Sequence, residues 1–173
     1  MKTSALVYRY YPEMPSLENV IKTYPKGIDE RDMVWMFKRL LAAIWTSHNL
    51  GIIHSAILPE HVLLNLDTHG IVLIDWMHTN KVGEKPRTAR LGSEEYYPRY
   101  TLTENNSTSL DIHMAAAVMR GIMGGNLDNV NKNIRLIFRA SMMGTTDARI
   151  VHEQLDKEVK KLWGSVFRPF KIK

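Results

Sequence analysis

Between Asp29 and His48 apolar residues return every three or four positions, as Met33, Met36, Phe37, Leu40, Leu41 and Ile44. That spacing lines one face of an α-helix, so the segment predicts the longest helix of the chain. Asp29, Glu30 and Asp32 fall in its first turn, where negative charge suits the helix dipole, and Asn49 and Gly51 supply the stop. A shorter run through Leu17, Val20 and Ile21 follows Pro15-Ser16, with Ser16 placed as the N-cap. The same period returns from Leu110 to Met123, ending at Gly124-Gly125. It predicts a shorter helix over Asn131 to Ser141. A last helix runs from about Thr146 to Trp163 through Ile150, Val151, Leu155, Val159 and Leu162.

Other segments lack this period. Ala5 to Tyr11 is rich in aromatic and β-branched residues and stops at Pro12, which predicts a short strand over 5–11. Val62 to Leu66 and Ile71 to Ile74 flank the turn-forming cluster Asp67-Thr68-His69-Gly70, the pattern of a β-hairpin. From Met77 to Ser109 the chain is polar, basic and rich in turn formers, and loops of that length in compact domains are commonly functional or disordered. The expected fold class is therefore mainly α with a small β-hairpin, in one domain over 1–173 with no internal repeat or dividing linker.

Composition changes this picture little. The 173 residues include 45% apolar and 24% charged side chains, the balance of a soluble globular protein. Without cysteine there can be no disulfide, thiolate metal site or cysteine nucleophile. No stretch approaches the roughly 18 continuous apolar residues of a membrane span. Arg9 interrupts the N-terminal apolar run too early for a signal peptide, so a cytoplasmic protein with no membrane partner is the expectation. The net charge of +5 and pI near 9.4 raise the question of an acidic partner such as nucleic acid. The positive charge is spread over Lys81–Arg90, Lys157–Lys161 and Arg168–Lys173 with no nucleic-acid-binding motif beside it, which favours a solvated basic surface. Met33, Met36, Met119 and Met123 sit at apolar-face spacing and are expected as core filler.

Chemistry enters at one stretch. Gly51-Ile52-Ile53-His54-Ser55-Ala56-Ile57-Leu58-Pro59-Glu60-His61-Val62-Leu63-Leu64 closely resembles the catalytic loop of protein kinases, whose pattern there is G-I-I-H-R-D-L-K-P-E-N-V-L-L. After a turn of the usual length, Ile71-Val72-Leu73-Ile74-Asp75-Trp76-Met77 stands where kinases have a strand ending in D-F-G. Further resemblances follow in the family's order. Ala5 to Pro15 is similar to the hinge strand and its exit, Tyr96-Tyr97-Pro98-Arg99 to the A-P-E region, Ser109-Leu110-Asp111-Ile112 to the start of the central buried helix, and Asp147-Ala148-Arg149 to the segment with a structural arginine. The resemblance implies a kinase large lobe, or C-lobe, lacking the small N-lobe. It comprises a hinge-like strand 5–11, a catalytic-loop-like segment 51–66, an activation-segment-like stretch 75–100 and a helical remainder 109–165.

Where the sequence departs from the family, catalytic groups are lost. The catalytic aspartate, which accepts the hydroxyl proton, is replaced by Ala56, which can neither orient a hydroxyl nor take its proton. Leu58 replaces the lysine that neutralises the transferred phosphoryl group, His61 replaces the metal-binding asparagine, and Ser55 replaces an arginine. Asp75 keeps the carboxylate that holds Mg²⁺ in kinases. Alone it makes a poor Mg²⁺ site, so a capping role at the strand end is the plainer expectation. Asp75 and His61 together would suit Zn²⁺ or Mn²⁺ better than Mg²⁺, against a plainer role for His61 as a structural hydrogen-bonder. By resemblance, His54 and Asp111 are scaffold residues, Asp111 binding the catalytic-loop backbone. Arg149 would be the structural arginine, but Arg99 stands at or near the position of its usual glutamate partner, so either Glu94 or Glu95 substitutes or the correspondence shifts by a residue or more.

No catalytic residue and no cofactor are expected. ATP and Mg²⁺ remain the alternative, because the small lobe would provide the glycine-rich loop and the phosphate-binding lysine. The leading expectation is a catalytically inactive, pseudokinase-like scaffold that binds protein or regulates. The alternatives are an atypical phosphotransferase completed by a separate small-lobe chain, and a nucleic-acid-binding protein using the basic surface. A vacated small-lobe face would expose Leu6, Tyr8, Tyr10, Leu64 and Leu73, inviting a protein partner or self-association. The Lys81–Arg90 stretch with Tyr96 and Tyr97 is expected as a solvent-exposed remnant.

Overall fold

The computed structural model describes residues 7, 10–86, 89–165 and 170–172. The chain is mainly helical, with small antiparallel β elements, as the periodicity predicts. Helix α1 covers Leu17–Thr23. Ser16 caps it, its hydroxyl accepting from the Asn19 N–H while the Asn19 side chain accepts from the Ser16 N–H. Helix α2, Glu30–Asn49, is capped by Asp29 and ends at Leu50, with Gly51 in the left-handed region at φ 71°. The predicted apolar stripe of α2 is fully buried.

Strand β1 (Ile52–Ile53) follows α2 and a short 3-10 turn occupies Pro59–His61. Strands β2 (Val62–Asn65) and β3 (Gly70–Leu73) then form the predicted hairpin, with Val62 opposite Leu73 and Asn65 opposite Gly70. The other hairpin edge is tied to the entrance of α1, where the Leu64 N–H donates to the Pro15 carbonyl.

The polar stretch after Met77 is more ordered than its composition predicts. Strand β4 (Asn80–Lys81) pairs antiparallel with β1, and 3-10 turns occupy Trp76–His78 and Glu94–Tyr96. Pairings only two residues long carry no readable alternation, which is why periodicity misses them. Helices α3 (Ser109–Ile122), α4 (Lys132–Ser141) and α5 (Ala148–Trp163) complete the chain. One core runs through α2, α3, the hairpin and the inner faces of α4 and α5, and Phe37 stacks on Phe138 at 4.5 Å. Gly27, at φ 93°, lets the link between α1 and α2 lie against the end of α3; a Cβ there would fall 2.9 Å from the Met123 backbone.

Two expectations about exposure need correction. Leu64 is fully buried and Leu73 is 8% exposed, because α1 and the core beneath the hairpin cover them. Tyr10 is exposed as expected. Leu6 and Tyr8 lie outside the described residues, as do positions 5, 6, 8 and 9 of the predicted strand over 5–11. Among the described residues no helix is long and apolar enough to cross a membrane.

Candidate functional site

The loop after β1 rests on one carboxylate. Asp111, in the first turn of α3 and fully buried, accepts from the His54 N–H through Oδ2 and the Ser55 N–H through Oδ1, both at 2.8 Å. His48 Nε2, from the last turn of α2, lies 2.9 Å from Oδ2. Three elements thus meet on Asp111, and the carboxylate satisfies two backbone donors that the turn leaves without strand partners. Ser55 takes φ 64°, a left-handed conformation uncommon for a residue with a Cβ. The two N–H groups converge on Asp111 through that turn.

His54 is a scaffold residue by its contacts. Its Nδ1 accepts from the Ala56 N–H at 3.3 Å, so Nε2 carries the proton and donates to the Ile74 carbonyl at 3.0 Å. Burial holds its pKa below the ordinary imidazole range, the neighbouring Asp111 opposing this only in part. Trp76, at the position resembling the D-F-G phenylalanine, sets its ring edge-on to His54 at 4.6 Å and donates its indole N–H to the Leu73 carbonyl.

Ala56, Ile57 and Leu58 are fully buried, with Ile57 and Leu58 in the central core. The positions that resemble the catalytic base and the phosphate-binding cation are therefore both shut off from the surface, and the second lies among packed core side chains.

The rim of the loop is a charged chain of contacts. His61 donates from Nδ1 to the Ala56 carbonyl at 2.8 Å, which leaves Nε2 as the acceptor in the neutral ring. Arg90 Nη1 lies 3.1 Å from Nε2 and 2.6 Å from Glu60 Oε1. Asp75 Oδ2 also lies 3.1 Å from Nε2. These two contacts at Nε2 exclude each other as hydrogen bonds. The neutral ring accepts from Arg90, whereas the protonated ring donates to Asp75.

The sequence expectations meet this geometry unevenly. His61 and Asp75 come together, but among the described residues no group of three or more histidine and carboxylate side chains could hold a metal. Asp75 is not a side-chain cap: it precedes the turn Trp76–His78 in the left-handed conformation, at φ 62°, and its carboxylate turns to His61. Arg149 reaches neither Glu94 nor Glu95. It pairs with Asp147 and Glu153 on its own helix end, at 3.9 and 3.2 Å, with its side chain 52% exposed. Helix-local carboxylates one turn away are simply the nearest acceptors.

Of the expected exposed remnant, Lys81–Lys85 and Arg90 are exposed, whereas Tyr96 and Tyr97 are half-buried. Tyr97 is partly buried and donates its hydroxyl to the Ser55 carbonyl at 3.2 Å, and burial raises its pKa. Asn80 donates to Ser55 Oγ at 3.1 Å. Positions 87 and 88 lie outside the described residues. Residue-by-residue reading missed Arg90, His48, Asn80 and Tyr97. Arg90 stood in a basic run with nothing local to mark it as the partner of Glu60. His48, at the end of α2, shows its role only once α3 is packed beside it.

No family model matches the chain. Over 106 residues, 61% of its length, it is 28% identical to Serine/threonine-protein kinase PEPKR2 of Arabidopsis thaliana. The chain covers 22% of the length of that relative. The relationship is kinase-like and extends over part of the chain.

Proposed function

We propose that the chain is a kinase-like domain that does not transfer phosphoryl groups and acts as a protein-binding or regulatory scaffold. The observation that carries this reading is the burial of Ala56 and Leu58. A base and a cation must face the substrate to act on it, and both positions are fully buried, Leu58 within the core itself.

The residues present do not fit a Mg²⁺–nucleotide site. Mg²⁺ takes oxygen ligands in near-ideal octahedral geometry, and the position beside Asp75 offers an imidazole already contacted by a guanidinium.

Thermal shift with and without ATP and Mg²⁺ tests the reading, together with phosphate transfer from labelled ATP to a mixed peptide substrate. No nucleotide-dependent stabilisation and no transfer are expected. Stabilisation by Mg²⁺–ATP that disappears in Asp75→Ala would sink the scaffold reading and favour a phosphotransferase completed by a second chain. A double reversion, Ala56→Asp with Leu58→Lys, is expected to create no activity and to lower unfolding free energy by about 3 kcal/mol or more, because it buries two charges and removes a core leucine.

A further inference from the structure

Helices α4 and α5 pack antiparallel, joined at one end by a 2.9 Å hydrogen bond from Asn133 Nδ2 to Glu158 Oε2. Their inner faces bury Ile134, Phe138, Val151 and Leu155. Between their outer faces runs a shallow groove of about 270 Å³, lined by Asn133, Leu136, Ile137, Gln154, Lys157 and Glu158. Leu136 is the exposed apolar side chain of this lining, and Ile150 and Met143 are exposed apolar side chains outside it. Leu136 is 52% exposed, Ile150 at the far end of α5 44%, and Met143 just beyond α4 85%.

The α4 side of the groove is basic, whereas α5 lines it with both Lys157 and Glu158. Helix α4 carries Lys132, Arg135 and Arg139 and no carboxylate. Lys132, Leu136 and Arg139 share the exposed stripe of α4, at steps of four and three residues, and Lys157 stands across the groove on α5. Among the described residues Lys132, Arg139 and Lys157 make no ion pair, whereas Glu158 is held by Asn133 and Lys161 and Glu153 by Arg149. Cations alternating with exposed aliphatic groups are a costly surface unless something covers it.

We propose that this groove docks a short acidic segment of a partner protein. Its aliphatic side chains cover Leu136 and Ile150 while its carboxylates meet Lys132, Arg139 and Lys157. The aliphatic groups decide between a peptide and a nucleic acid. They offer burial to leucine- or valine-like side chains, and this face presents no aromatic ring on which a base could stack. The proposal does not depend on whether the loop at Ala56 is catalytic.

Selection from a displayed library of random twelve-residue peptides tests it, with the intact chain as bait and Lys132→Glu/Arg139→Glu/Lys157→Glu as counter-bait. Enriched peptides are expected to place Asp or Glu beside Leu, Ile, Val or Met. One such peptide, fluorescein-labelled, should lose at least about tenfold in affinity to the triple variant, and several-fold to Leu136→Ser. All four positions are exposed, and an unchanged Tm for each variant is the accompanying expectation. Failure to enrich peptides over the counter-bait overturns the proposal, as does enrichment of peptides without acidic residues. A labelled single-stranded twelve-nucleotide DNA that binds more tightly than the selected peptide, and is lost in the same triple variant, overturns it in favour of nucleic acid.

Discussion

The floor and the rim of the loop after β1 are a few residues apart in sequence and opposite in physical character. On the floor, a fully buried carboxylate takes two backbone N–H groups, with a histidine ring against one of its oxygens. On the rim, Arg90, with its side chain 45% exposed, spans Glu60 and His61 beside a partly exposed Asp75. The floor holds the backbone of the loop, and the rim carries charged side chains open to solvent. Shape and surface charge are separable, because each depends on different atoms of the same few residues.

The sharpest way to break that contrast is to remove the floor. Asp111→Ala leaves the His54 and Ser55 N–H groups buried without an acceptor and strands His48. Unfolding free energy should fall by about 3–5 kcal/mol, measured by urea denaturation, if the chain accumulates folded at all. Asp111→Asn, which keeps one acceptor oxygen, should fall between Ala and wild type. An Asp111→Ala protein within 1 kcal/mol of wild type, on the order of a surface substitution, would mean the floor is not a support.

Acid probes the same floor more gently. Burial lowers the pKa of His54 below the ordinary value of 6.5, and the same cause acts on His69, His113 and His152. In the unfolded chain these rings take up protons as pH falls through 6.5, while the folded chain resists. Stability is therefore complete above that value and declines as pH falls below it. It should thus fall between pH 7.5 and 5.5. The urea midpoint should drop over that window, and less steeply in His54→Asn. A midpoint that rises on acidification would contradict the sign.

Much of the fold was legible because it depends on local pattern. The stripe of α2, the caps at Ser16 and Asp29, and the turn at Asp67–Gly70 each declare themselves within a few residues. Asp111 was found through its resemblance to a kinase position, and the two N–H groups it holds would not have been visible from spacing. What escaped was long-range. The pairing of β1 with β4 joins Ile52 to Lys81, and Arg90 reaches back to Glu60. The exposure expected at Leu64 and Leu73 followed from the large-lobe-only reading, but α1 and the core already cover both. The partner of Arg149 was left open by resemblance, and the structure pairs it locally with Asp147 and Glu153.

The smallest expected effect is at the rim. Arg90→Ala removes a 2.6 Å ion pair with Glu60 and the contact with His61, but both partners of the ion pair are substantially solvated. Exposed pairs of this kind contribute about 1 kcal/mol or less, so global stability should change within that range. The local consequence is more telling. Arg90 also donates its backbone N–H to the Tyr97 hydroxyl, which in turn donates to the Ser55 carbonyl, so this residue links the rim to the floor from above. Amide hydrogen exchange should quicken around residues 90–97 in Arg90→Ala, with the His54 and Ser55 amides unchanged. If those two amides quickened as well, rim and floor would be one cooperative unit. The loop's shape would then depend on the rim side chains as well as on Asp111.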